Sequence, residues 1–88
     1  MEIHRSARKH GYNDREIFHA LDNAMAVFDL DPEGDPPRVL AIGPDPSGNM
    51  LEVIWLELSD GQRLVIHAMT LRPAYFTLLE LAKGEEQE

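Results

Sequence analysis

Apolar residues change their spacing twice along this 88-residue chain. They begin at helical intervals, cluster after residue 25 into short β-branched and aromatic runs, and return to helical intervals after residue 70. Ile3, Ala7 and His10 fall at i, i+4 and i+7, which predicts a short helix over about 3–10, stopped by Gly11. Asn13 followed by Glu16 reads as a capping box, with Asn in place of Ser or Thr. The helix that it opens, from about Asp14 to Asn23, has Ile17, Ala20, Leu21 and Ala24 on one face. Asp14 and Glu16 occupy its first turn, where the helix dipole favours acids.

Residues 26–30 form a short strand or an extended connector, and the prolines and acids of 31–37 make a surface loop. Residues 38–69 read as three strands, divided by the turn signals 45–49 and 59–62. Gly43 and Gly48 read as turn glycines. With Asp60-Gly61 at the second tip, Leu58 lies opposite Arg63 and Ile54 opposite His67. One face then carries Val39, Ala41, Leu51, Val53, Trp55, Leu64, Ile66 and Ala68, and should meet the helices. The other is mixed and open, an apolar strip with a charged rim that suits an interaction surface. Arg63 and His67, four positions apart, share that second face. Pro73 opens a last helix, Ala74 to Lys83, with Tyr75, Leu78, Leu79 and Ala82 as its stripe and Gly84 after its end. Residues 84–88 read as a frayed acidic tail. The expected fold is one α+β domain: N-terminal helices, an antiparallel meander of three to four strands with helices on one face, and a C-terminal helix.

Composition narrows the function classes. A chain this short has one modest core, so a partner or a second copy that covers apolar surface, as in a homodimer, fits it. The lack of cysteine and of an apolar leader suits a cytoplasmic protein, and no apolar run is long enough to cross a membrane. The net charge of −8 argues against a large nucleic-acid footprint. The charge is uneven, however. Residues 1–15 hold four bases against two acids, whereas residues 16–88 hold four bases against fourteen acids.

No phosphate-binding glycine loop, HExxH, EF-hand loop or nucleophile elbow occurs. His4, His10, His19 and His67 match no common metal-ligand spacing, and no cofactor motif is visible. His19 reads as a surface residue. Glu52 and Glu57 face opposite sides of one strand, so they cannot act as an acid–base pair, and both read as solubilising polarity. Arg63, His67 and Arg72 remain, with Lys9 and His10 as further bases. Metal-free RNA cleavage needs a base for the 2′-hydroxyl, cations for the phosphorane and an acid for the leaving oxygen. Histidine and arginine supply these roles, and Tyr75 could orient a phosphate or stack a base. The plainer alternative is a half-buried His67 hydrogen-bonded to a neighbour.

Ser6-Ala7-Arg8-Lys9-His10-Gly11, His19-Ala20-Leu21 and Leu40-Ala41-Ile42-Gly43 together resemble small bacterial toxins of the BrnT type, within the wider RelE/ParE-like group. Leu51-Glu52-Val53-Ile54, Val65-Ile66-His67-Ala68-Met69 and Leu71-Arg72-Pro73 extend the resemblance over about residues 4–79. It implies a compact α+β toxin of a type II toxin–antitoxin pair, a ribonuclease that blocks translation by acting on RNA or ribosome-associated mRNA. It also implies an antitoxin that wraps the toxin. The positions carried over are Lys9, His10, Arg63, His67 and Arg72. The chain departs from the family in being acidic and in lacking an arginine-rich last strand and helix. An inactive toxin-fold protein, acting as a non-enzymatic interaction module on its open sheet face, is the alternative expectation.

Overall fold

The computed structural model, which describes residues 1–86, is built on a five-stranded mixed sheet. Its strands are β1 (Glu2–Ile3), β2 (Ala26–Asp31), β3 (Arg38–Pro44), β4 (Met50–Glu57) and β5 (Arg63–Thr70), in the spatial order β1-β5-β4-β3-β2. β2 to β5 run antiparallel to their neighbours, and β1 runs parallel to β5. Two α-helices accompany them, α1 (Asp14–Asp22) and α2 (Phe76–Glu86), with single 3-10 turns at Arg5–Arg8 and Pro73–Tyr75. The expected N-terminal helices, three-to-four-stranded meander and C-terminal helix are therefore corrected to a dominant five-stranded sheet with two helices.

The correction begins at the N-terminus. Ile3 pairs with Val65, and the His4 N–H donates to the Val65 carbonyl at 2.8 Å. An apolar stripe of two residues and a histidine is too short to repay helix nucleation, whereas the edge of β5 offers ready backbone partners. Helical geometry survives only as the turn Arg5–Arg8, where Ala7 is fully buried. At α1 the sequence signals hold. The Asn13 side chain accepts from the Glu16 N–H and Glu16 accepts from the Asn13 N–H, each at 2.9 Å. Ile17 and Ala20 pack with Val39, Ala41, Leu51, Val53 and Trp55. Gly43 is not at a turn. It lies within β3, where an added Cβ would overlap the Ala20 carbonyl of α1.

The second face of the sheet is covered as well. Leu40, Ile42 and Ile54 form a core with Leu71 and Leu79, with Tyr75, Leu78 and Ala82 packed against it. This explains why Val39–Ile42 and Leu51–Trp55 are buried at every position, the mark of strands covered on both sides. The described helix α2 continues through Gly84, past the expected stop, and residues 87–88 of the expected frayed tail lie outside the described residues.

β5 carries a bulge. Glu57 pairs with Arg63, Leu56 with Leu64 and Trp55 with Val65, and then Ile54 pairs with His67. The expected pairing of Leu58 with Arg63 is thus one residue off, while that of Ile54 with His67 holds. Ile66 is the extra residue, and Ser6 Oγ donates to its carbonyl at 2.7 Å. One inserted residue reverses the alternation of side chains. Arg63 therefore falls on the α1 face and His67 on the α2 face, not together as expected.

Candidate functional site

Glu52 is the centre of the candidate site. It lies mid-way along the central strand β4, opposite Ile42 on β3 and Met69 on β5, and has no exposed surface. A lone carboxylate there is tolerable only if its oxygens are satisfied and its charge is compensated. Both conditions are met. The Arg72 backbone N–H donates to Oε1 at 2.9 Å, and the guanidinium donates from Nη2 to Oε2 at 2.7 Å and from Nε at 3.1 Å. His67 Nε2 lies 2.8 Å from Oε2. Among the described residues, every buried side-chain polar atom has a partner.

Burial is the largest influence on the Glu52 carboxyl and pushes its pKa up. The hydrogen bonds from the Arg72 side chain and backbone and from His67, together with the Arg72 charge, outweigh it, and the pKa falls below the ordinary value. Glu52 is thus a carboxylate that can only accept, so His67 Nε2 must carry the hydrogen. In the neutral ring Nδ1 is then the basic nitrogen. The arrangement is a carboxylate that fixes the tautomer and orientation of an imidazole.

Arg72 stands where β5 passes into the turn Pro73–Tyr75. Its side chain is 49% exposed, and its carbon Cζ lies 5.6 Å from the centre of the Tyr75 ring. The Glu52 hydrogen bonds, then the Glu52 charge, hold the guanidinium pKa above its ordinary value. Two of its N–H groups serve Glu52 and Tyr75 also acts on the guanidinium, which leaves part of its donor set for another anion. His10, exposed and just past the first 3-10 turn, meets the His67 ring edge-on, with centroids 5.7 Å apart and planes at 77°. His67 itself is 20% exposed, so it can be reached from outside.

The remaining sequence candidates lie elsewhere. Arg63 pairs with Glu57 at 3.3 Å and lies over the Trp55 ring, on the opposite face from His67. Lys9 is exposed and makes no hydrogen bond or ion pair with the cluster. His19, expected at the surface, is part-buried, and its Nδ1–H donates to the Pro44 carbonyl at 2.9 Å, tying α1 to the end of β3. Among the described residues no three His, Cys, Asp or Glu side chains gather as a metal site, and no helix is long and apolar enough to cross a membrane.

Glu52 is the residue that sequence reasoning missed. Its opposition to Glu57 was correctly expected, but solubilising polarity was not its role. The available signal was position, a single carboxylate inside the apolar run Leu51–Leu56 of a central strand. Beside the cluster, an apolar cleft of about 470 Å³ opens between the β4–β5 ends and α2. Met50, Leu71, Phe76 and Leu79 line it, with Asn49, Thr70 and Glu80 as its polar members. Comparisons with protein-family models, with curated proteins and with solved structures find no match to this chain.

Proposed function

We propose that this protein is an endoribonuclease and, following the resemblance in its motifs, the toxin of a type II toxin–antitoxin pair. The observation that carries the catalytic part is the imidazole of His67 held by the buried carboxylate of Glu52, with the half-exposed guanidinium of Arg72 alongside. His67 Nδ1 takes the proton of a ribose 2′-hydroxyl. The freed oxygen attacks the adjacent phosphorus, forming the O2′–P bond, while the P–O5′ bond breaks. Protonated His10 gives its proton to the leaving 5′-oxygen. The products are a 2′,3′-cyclic phosphate and a 5′-hydroxyl. The free donors of Arg72 hold the non-bridging oxygens as charge develops on them. Glu52 positions His67 and balances the imidazolium that forms. Arg63, on the other face, stays outside this site.

The net charge of −8 favours a second reading, a non-enzymatic module that docks a partner. Expression without any partner separates the two. The ribonuclease reading expects growth arrest with RNA cleavage, and His67→Ala lowers the cleavage rate by about 10²–10⁴, the usual contribution of a general acid or base. Normal growth with intact RNA sinks it and leaves the docking module.

A further inference from the structure

We infer that the apolar cleft between β4, β5 and α2 is a nucleobase site, which holds one base of the RNA whose phosphate Arg72 binds. This rests on the ribonuclease reading and adds to it where the substrate's base goes. The two sites are continuous in the fold. Met50 in the cleft and Glu52 in the cluster are alternate residues on one face of β4, about 7 Å apart along the strand. Leu71, in the cleft wall, directly precedes Arg72, and its N–H donates to the Met50 carbonyl at 2.9 Å. A nucleotide is also a phosphate joined to a flat ring system at a separation of this order.

The lining fits a base. Phe76 is 50% exposed at the start of α2, an aromatic face left in water beside Leu71, Leu79 and Met50. Flat heteroaromatic rings stack on such a face, and proteins that handle single-stranded RNA commonly bind its bases this way. Asn49 brings an amide to the same cleft, where the edge of a base needs hydrogen-bonding partners, and gives one N–H to Asp45 at 3.2 Å; the Thr70 hydroxyl lies 2.6 Å from that of Tyr12 and is engaged there. The volume of about 470 Å³ admits a single purine or pyrimidine ring system and is at the small end of ligand sites. Purines, with the larger stacking surface, bind best.

Amide chemical shifts during titration with the four 3′-mononucleotides, with inorganic phosphate and with adenosine test the assignment. Nucleotides should shift residues 49–50, 70–71 and 76–80 together with His67 and Arg72, and phosphate only the latter group. Phe76→Ala, at an exposed position, should weaken purine nucleotide binding about tenfold and leave phosphate binding unchanged. Nucleotide shifts confined to the surroundings of Arg72 overturn the base site. So does RNA cleavage that is indifferent to neighbouring base and to Phe76→Ala, although that result keeps the nuclease. Base binding in the cleft without any RNA cleavage keeps the site and removes the nuclease chemistry.

Discussion

Glu52 shows how one buried charge organises its surroundings. Its carboxylate fixes the His67 tautomer, seats Arg72 and accepts the backbone N–H that opens the turn into α2. Glu52→Gln keeps the shape but removes the charge that three groups were placed to meet. It should lower the unfolding free energy by about 1–3 kcal/mol, read from the urea midpoint. The same carboxyl gives a pH signature. Its folded pKa lies below the unfolded one, so its stabilisation is complete above an unfolded value of about 4.3 and is lost as the pH falls through the lower folded value. The urea midpoint of the native protein should therefore drop steeply below about pH 4.3. Glu52→Gln should flatten that drop without abolishing it, because Asp45 is also held low. Burial pushes the Asp45 carboxyl up, but hydrogen bonds from Asn49, Ser47 and Gly48 outweigh it. A profile unchanged in Glu52→Gln would mean that the compensation seen around this carboxylate has no energetic consequence.

At the scale of elements, the parts readable in the sequence are those decided locally. The Asn13–Glu16 capping box, the apolar stripe of α1, the stripe of α2 and both turn signals needed only neighbours a few residues away, and each is present. What escaped depended on distant chain. The bulge at Ile66 has no marker in Val65-Ile66-His67, and it is sustained by Ser6, 60 residues away, whose hydroxyl donates to the bulged carbonyl. Without it, and with Ile54 still opposite His67, Arg63 would share the face of His67 and Glu52. Ser6→Ala should cost about 1 kcal/mol, and its more telling effect is on register. The His67 ring resonances should broaden or shift if the bulge loosens, and should stay fixed if β1 pairing alone holds it. Gly43 was misread for a related reason, since only the crossing of α1 over β3 shows that its missing side chain makes room. Gly43→Ala must lift α1 and should cost about 1–3 kcal/mol, measured by thermal or chemical unfolding.

Across the whole molecule, the site and the charge pull in opposite directions. The sequence placed four bases against two acids in residues 1–15, yet Arg8 is tied in the fold to Asp14 by bonds of 2.7 and 2.9 Å. Arg63 and Arg72 are likewise matched by Glu57 and Glu52. In residues 1–15 Arg5, Lys9 and Arg15 then stand against Glu2, a local excess of two positive charges that is small beside a net charge of −8. The faces of the sheet repeat the pattern. Alternation along β3 and β4 suggested one open face, but the apolar run Val39–Ile42 and the run Leu51–Trp55, interrupted only by Glu52, already carried the case for cover on both sides. The open, charged strip expected for partner binding is thus replaced by α2 and the cleft beside it. For a nuclease built this way, encounter with RNA is opposed at long range and favoured only by contacts at the site. Basic nucleic-acid binders lose affinity as salt rises because displaced counterions return to the nucleic acid. Here screening should instead weaken repulsion. The second-order rate constant for cleavage of a short oligoribonucleotide should rise as ionic strength goes from about 0.01 to about 0.15 M, where the Debye length shortens from about 30 to about 8 Å. Substituting exposed acids remote from the cluster, such as Asp29 and Glu33 by Asn and Gln, should raise the rate at low salt and leave it nearly unchanged at high salt. A rate that falls with salt in the native protein would show that a basic surface, not the acidic body, governs the encounter.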